Sequence, residues 1–383
     1  MRKKRKIKKS KLIKPIELPI YPVRGQRDLR KAQREQTSNG VYKTKIKVIG
    51  IGGGGNSIVS EIASEVKKVN FVAVNADQQA LRKVPQKIKR FQIGQKITGG
   101  LGTGTNPELG EIAAREERER IKELLKGTDF CILVSSLGGG IGSGASPVFA
   151  DISRRLRIKT LGIFTLPFDF EGREKMEVAK ASLEKLAPNL NALVIIPNQK
   201  IFQVVEKNTP LKEALSTVNK FLAQSLGGLI EMIYSSGLIK VGLADLKSIL
   251  EGRKKLAFLN TSEAKGSNQI EEIAKNVLSN PLCPYSPKEA TGILFSVAGG
   301  LNLSMGQVEQ IGKTISEATN SKAKIAFGIT QDKEKKIKIT LLANGCKWKE
   351  WERAKEKSKK KTKEEPKLEK PNPEVIRTYF DRI

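Results

Sequence analysis

The chain contains no histidine. Without an imidazole, Ser-His-Asp and Cys-His nucleophilic chemistry are excluded, and with them nearly all zinc catalysis. Cysteine is scarce and odd in number: Cys131, Cys283 and Cys346 stand far apart. That argues against a disulfide framework and fits a reducing cytoplasm. No apolar run approaches the roughly 20 residues that a membrane-spanning helix needs. The N-terminus is basic, as in a signal peptide, but Pro15, Glu17 and Pro19 interrupt the place where an apolar stretch would follow. No secretory signal is expected. A Gly-x-x-x-x-Gly-Lys-Ser/Thr run is also missing, which excludes a P-loop NTPase.

Positive charge is abundant. Seventy Lys and Arg against forty Asp and Glu give a formal net charge of +30 over 383 residues. Such a balance favours polyanionic partners and says nothing about fold. The excess is concentrated at the start, where Arg2, Lys3, Lys4, Arg5, Lys6, Lys8, Lys9 and Lys11 stand with no acid among them. Each cation in residues 2–14 would gain about 1 kcal/mol near an anionic membrane. Nucleic acid would attract the same arm with steep salt dependence. No aromatic lies within residues 1–20 to stack on bases, and a merely solvated charge run is the bland alternative.

Composition divides the chain into a basic, proline-punctuated disordered arm over 1–43 and a Lys/Glu-rich linker and tail over 346–383. Strand and helix alternate between them. Short β-branched or apolar runs at Lys45–Gly50, Asn70–Asn75, Phe130–Ser135, Thr160–Thr165 and Ala192–Ile196 read as strands. Helices are expected from about Asn56 and Ser146, and over residues 107 to 126, where Pro107 and Glu108 occupy the first turn. This spacing predicts an α/β fold with a parallel, doubly wound, Rossmann-like sheet over 44–209. From Leu211 to Ile233 apolar residues recur at helical spacing over more than six turns, a stripe wide enough for a long core helix buried on most sides. With the turn after it, this helix occupies 210–246. A smaller α/β unit over 247–345 carries strands near Thr291–Val297, Lys324–Gly328 and Lys336–Leu342.

Two glycine runs carry the chemistry. Gly50-Ile-Gly-Gly-Gly-Gly-Asn56 stands where the first strand turns into the first helix. Glycines there let backbone N–H groups approach a phosphate at the helix's positive end. Alone, this run also satisfies the dinucleotide fingerprint through Gly50, Gly52 and Gly55, or simply makes a tight turn. Leu137-Gly-Gly-Gly-Ile-Gly-Ser-Gly-Ala-Ser-Pro147 repeats the arrangement after another buried strand. A dinucleotide site needs one such loop, whereas a mononucleotide triphosphate gripped from two sides needs two.

The second run resembles the signature Gly-Gly-Gly-Thr-Gly-Thr-Gly of the tubulin/FtsZ family, with Ile141 and Ser143 at the threonine positions. Val74–Leu81, Gly100–Glu108, Pro167–Gly172, Ile196–Asn198 and Gly237–Asp245 match further family segments in order, so the likeness spans about Lys45 to Gly345. The resemblance implies a tubulin/FtsZ fold and a GTP/GDP site, with Mg2+ held by phosphates and water and no protein metal ligands. By resemblance, Gly53, Gly54, Gly55 and Asn56 line the phosphates from one side, and Gly139, Gly140, Ile141 and Gly142 from the other. Asn75, Asp77, Thr103, Gly104 and Thr105 match loops that flank the phosphates, with helix capping the plain alternative for Asn75 and Asp77. Glu171 matches a ribose-contacting acid. Lys175 stands where the family has arginine, keeping the charge without the planar fork. Asn198 and Asn219 match the positions that read guanine, where an amide offers donor and acceptor together. Leu215 replaces the aromatic that would stack on the base.

The family's catalytic loop, inserted into the next subunit's site, carries three polar positions. Here it reads Lys240-Val-Gly-Leu-Ala-Asp245 and keeps only Asp245. One carboxylate can still orient water and Lys240 can stabilise phosphoryl charge, so a slow GTPase is expected. The resemblance further implies a head-to-tail filament serving cytoplasmic cell division, either alone or with a second FtsZ-type protein. Val375–Ile383 is placed like a C-terminal adaptor-binding peptide. A non-hydrolysing scaffold tethered by the basic arm is the alternative on the same fold, and a dinucleotide-dependent oxidoreductase the alternative outside it.

Overall fold

The computed structural model describes residues 44–348 except 236, 266–268, 301–302 and 332–335. The basic arm and the C-terminal peptide lie outside these residues.

β1 (Ile46–Ile51), β2 (Asn70–Asn75), β3 (Lys89–Gln92), β4 (Phe130–Ser136), β5 (Lys159–Leu166) and β6 (Ala192–Pro197) run parallel in the spatial order β3-β2-β1-β4-β5-β6. β7 (Lys255–Lys265), β8 (Gly292–Gly299), β9 (Lys324–Gln331) and β10 (Lys336–Cys346) extend the same sheet as β7-β10-β8-β9, making ten strands. β10 is antiparallel to both its neighbours, and β8 and β9 are parallel. The fold is therefore α/β with a parallel-dominated sheet. Strands β3 and β7 escape the sequence pattern because charged and polar residues occupy much of each.

The helices are α1 (Gly52–Glu65), α2 (Gln78–Arg82), α3 (Gln95–Thr98), α4 (Pro107–Glu116), α5 (Arg118–Leu125), α6 (Gly140–Arg155), α7 (Arg173–Leu186), α8 (Leu211–Tyr234), α9 (Leu243–Ile249), α10 (Ile270–Val277) and α11 (Met305–Glu317). They cover both faces of the sheet, as a parallel sheet requires. The alternation in β1 sets the two cores. Ile46 and Val48 join Val59 and Ile62 of α1 and Leu222 and Leu226 of α8 on one face. Ile49 and Ile51 join Ala145 and Phe149 of α6 on the other.

Three expectations are corrected. Residues 107 to 126 form two helices broken at Glu117, whose ψ of 16° leaves the helical region. The break turns Ile121, Leu124 and Leu125 inward independently of Ala113 and Ala114. α1 and α6 begin at Gly52 and Gly140, not near Asn56 and Ser146, so the glycine runs are themselves the first helical turns. Glycine's intrinsic cost in a helix, about 1 kcal/mol per residue, is overridden by packing that admits no side chain at Gly55, Gly140, Gly142 and Gly144, whereas Gly53 faces open space. The burial of α8 is graded: Val218 to Ile233 carry the core stripe, while Leu211 and Leu215 near its start are exposed.

Pro147 lies inside α6 and, lacking an N–H, leaves the Ser143 carbonyl without its helical donor. Ser182 of α7 supplies one, its hydroxyl donating to that carbonyl at 2.8 Å. At the far end of the parallel region, β6 and β7 pair only through Ala192–Lys255 and Leu193–Leu256. Just beyond, the buried Tyr285 hydroxyl accepts from the Ile195 N–H and donates to the Ala257 carbonyl, each at 3.0 Å. Tyr285 thus joins the two strands where their own ladder stops.

Candidate functional site

Ligands of open parallel sheets bind beyond the carboxyl ends of the strands, and a cavity of about 670 Å³ opens there, over β1, β4, β5 and β6. Its floor is made by the starts of α1 and α6. Neither helix has a side-chain N-cap, and neither carries an acid in its first turn. The backbone N–H groups of both first turns lack intrahelical acceptors, although the Gly140 N–H donates to the Gly104 carbonyl at 3.2 Å, and both positive dipole ends face one volume. The two runs meet backbone to backbone: Gly52 has φ +78°, and a Cβ there would stand 2.9 Å from the Gly142 nitrogen. A Cβ on Gly140 would lie 2.4 Å from the Thr103 hydroxyl. This is a cradle shaped for an anionic group close to main chain.

Most residues singled out by the sequence line this cavity: Gly53, Gly54, Asn75, Asp77, Thr103, Gly104, Gly139, Gly140, Ile141, Gly142, Glu171, Lys175, Asn198 and Asn219. Gly55, Asn56 and Thr105 do not. Gly55 packs against the Val134 carbonyl, Thr105 is exposed, and Asn56 faces an adjoining hollow of about 700 Å³ shared with Ser57, Ser60 and Glu61. Asn56 is only 4% exposed, yet neither of its amide atoms has a partner among the described residues. The Thr103 hydroxyl, on a residue 8% exposed, is likewise unpartnered. Orphaned buried polar atoms are expensive, and here they border a cavity that can supply partners.

Individual side chains divide their duties. Asp77 accepts from the Ala80 N–H at 2.9 Å and so caps α2, the plain alternative, while also lining the cavity. Asn75 Oδ1 takes the Ala76 and Asp77 N–H groups at 2.9 and 3.3 Å, holding the turn. Glu171 accepts from the Phe168 N–H at 2.9 Å and from Lys175 at 3.0 Å. The Lys175 charge is thereby held at the rim beside the acid. Asn219 donates its Nδ2 to Glu61 at 2.8 Å, across from α8 to α1.

Several lining residues were missed by sequence reasoning. Ser136 and Thr165, whose hydroxyls bond at 2.9 Å, sit side by side on β4 and β5. Their only sequence signal was a hydroxyl at the carboxyl end of a buried strand. Phe168 lines the wall and stacks on Phe170 at 4.9 Å between centroids. No group of three or more His, Cys, Asp or Glu side chains able to hold a metal occurs among the described residues. Burial pushes the thiols of Cys131, Cys283 and Cys346 up to about 12, so none is a thiolate at neutral pH.

Lys240 and Asp245 lie outside the cavity, at the turn that leads into α9. Asp245 accepts from the Gly242 N–H at 2.9 Å, capping α9, and Lys240 is exposed. Leu238 beside them is 79% exposed, with Ile325 and Phe327 on the adjacent strand β9 also at the surface.

A sheet of this order with a nucleotide-sized cavity between two glycine-started helices defines a nucleotide-binding protein without a P-loop. The family models agree: residues 45–206 match the Tubulin/FtsZ family GTPase domain, and 255–347 the FtsZ family C-terminal domain. The chain belongs to the tubulin/FtsZ family, as a divergent FtsZ-like member. It is similar to FtsZ of M. jannaschii, solved as an empty dimer, at 33% identity and TM-score 0.72, over 85% of this chain and 93% of that one. A point mutant of the same protein gives 34% identity and TM-score 0.73, over 84% and 95%. CetZ2 of Haloferax volcanii, solved as a GTPγS-bound protofilament, shares the fold at 21% identity and TM-score 0.69, over 83% and 100%.

Proposed function

We propose that the cavity binds GTP and GDP, and that copies of the chain stack head to tail with one nucleotide between neighbours. The observation that carries this is the pair of uncapped, acid-free helix starts facing one cavity beside the orphaned Thr103 hydroxyl. Phosphates satisfy the other N–H groups of those turns, the Gly140 N–H being already bonded to the Gly104 carbonyl at 3.2 Å. Mg2+ is held by the phosphates and water, since the cavity supplies one cluster-free carboxylate pair, Asp77 and Glu171, rather than a ligand set. Asn198 and Asn219 read the base, and Glu171 takes the ribose hydroxyls.

Loop 240–245 of one copy then meets the cavity of the next. The apolar surface formed by Leu238, Ile325 and Phe327 suits that contact, as do Leu101 and Phe170 at the cavity end. Asp245 orients the attacking water and Lys240 balances charge on the phosphoryl group. Turnover is slow, because Asp245 is the loop's one carboxylate and it already caps its own helix. That same hydrogen bond favours the second reading, a scaffold filament that binds GTP without hydrolysing it. The filament serves cell division in the cytoplasm, with the basic arm on an anionic membrane or nucleic acid, and a second FtsZ-type protein or a tail-binding adaptor as further partners. Among the described residues no helix is long and apolar enough to cross a membrane.

Phosphate release from GTP across a protein concentration series, with light scattering in parallel, tests the reading. Release that appears together with scattering above a threshold supports a site completed between copies. GTP-dependent scattering without release supports the scaffold. Release that is linear in protein from the lowest concentration would sink the shared site.

A further inference from the structure

Glu61 projects from α1 toward α8, where it takes two donors: the Ser216 hydroxyl at 2.5 Å and Asn219 Nδ2 at 2.8 Å. Ser216 and Asn219 stand three residues apart on one face of α8, so a single carboxylate holds both. Asn219 lines the cavity, whereas Glu61 and Ser216 do not; Glu61 faces the adjoining hollow. A carboxylate only accepts hydrogen bonds. The branch of the Asn219 amide facing it is therefore the NH2, whichever way the two branches are first assigned. The carbonyl branch, Oδ1, is left for the cavity.

We propose that Glu61 is a specificity-determining positioning residue: by fixing the Asn219 amide it presents an acceptor to the base, and so selects a purine edge that carries N–H donors. Guanine offers N1–H and N2–H2 at that edge, whereas adenine offers an acceptor at N1. Adenine would set two acceptors against each other and leave both without a proton, the arrangement a buried polar site penalises most. Hypoxanthine, which keeps N1–H and lacks the 2-amino group, falls between. Ser216 supports the arrangement by fixing the carboxylate itself. The inference rests on the nucleotide reading above and adds a residue that touches neither base nor phosphate.

The test is competition binding on the full chain, with a fluorescent guanine nucleotide displaced by GDP, IDP, ADP and inorganic pyrophosphate. The wild-type chain is expected to rank GDP above IDP above ADP. Glu61→Gln keeps the size but no longer forces the amide, since either branch of Asn219 finds a partner on glutamine. The GDP-to-ADP ratio then falls by about tenfold or more, with pyrophosphate displacement unchanged. Ser216→Ala, outside the cavity, loses part of the same ratio. In the Asn219→Ala background, Glu61→Gln has no further effect on the ratio, because nothing remains to be oriented. If Glu61→Gln retains its fold and the GDP-to-ADP ratio, Glu61 has no part in base choice, while nucleotide binding stands. Should Glu61→Gln fail to fold, an unchanged ratio in Ser216→Ala overturns the inference in the same way. A wild-type chain that no guanine nucleotide occupies removes the nucleotide reading and the inference together.

Discussion

A Cβ on Gly140 would come within 2.4 Å of the Thr103 hydroxyl, which is buried and has no partner among the described residues. The same Cβ would lie 2.7 Å from the Asn106 carbonyl and 2.8 Å from that of Gly104, so no single side-chain movement relieves it. Gly140→Ala is therefore expected to displace the 103–106 turn and reduce guanine-nucleotide affinity by at least about tenfold, read by equilibrium titration. Thr103→Val keeps the shape and removes the orphaned hydroxyl. It is expected to leave stability unchanged or raise it by about 1 kcal/mol while weakening nucleotide binding. A stable Thr103→Val protein with wild-type affinity would count against a ligand partner for that hydroxyl.

The Ser182 hydroxyl closes the gap that Pro147 opens in α6. Ser182→Ala returns the Ser143 carbonyl to a buried, unpaired state, at a cost of about 1–3 kcal/mol in denaturant unfolding. In Pro147→Ala the helical donor is restored, and Ser182→Ala is expected to cost less there. Equal losses in both backgrounds would refute the compensation.

Tyr285 joins β6 to β7 beyond their two paired positions. Tyr285→Phe leaves the Ile195 N–H and the Ala257 carbonyl unsatisfied, and is expected to cost about 1–3 kcal/mol, visible as a lower Tm in calorimetry. A Tm equal to wild type would mean that the strand pairing alone carries this seam.

Burial raises the Tyr285 hydroxyl above its ordinary range and lifts the three thiols from 9.0 to about 12. Groups whose pKa is higher in the folded state hold their protons there and release them on unfolding. Their contribution is complete below about pH 9 and is lost as pH climbs toward 12. Tm is expected to be flat from pH 7 to 8.5 and to fall progressively above pH 9. At pH 8 a thiol reagent should modify the denatured chain rapidly and the native chain hardly at all. Rapid native modification would contradict the burial.

Much of this architecture was legible in the residues. Strands β1, β4, β5 and β6 are apolar on both faces, and the long stripe of α8 admits no other element. β3 was not legible, because Lys89 and Arg90 make an edge strand look like a solvated turn. β7 runs from Leu256–Ala–Phe–Leu259 into Asn260–Thr–Ser262, and its polar half is explained only by partners such as Thr340, bonded to Thr261 at 2.9 Å. The glycine runs pointed to a phosphate site but hid two helix starts, since propensity weighs glycine as a breaker and only packing shows that no Cβ fits at Gly55, Gly140 or Gly142. Glu61 gave no local signal at all: its partners lie 155 and 158 residues away.

Asp245 caps α9 in its own chain and, in the proposed filament, orients water in the next. Asp245→Asn can retain the cap through its amide oxygen, with a stability change under about 1 kcal/mol, and is expected to abolish phosphate release. Mixed with Gly140→Ala chains, it should remain inactive at the interfaces it supplies, while wild-type loops paired with Asp245→Asn cavities turn over. Undiminished release by Asp245→Asn would remove Asp245 from the reaction.

The most direct measurement is calorimetric titration of the full chain with GDP, with ADP and NAD as controls. A guanine-nucleotide site between the two glycine runs predicts saturable binding of GDP at one site per chain, much weaker binding of ADP, none of NAD, and loss of the GDP signal in Gly140→Ala. Saturable binding of NAD, or a chain that takes up no guanine nucleotide at any concentration while remaining folded, would contradict it.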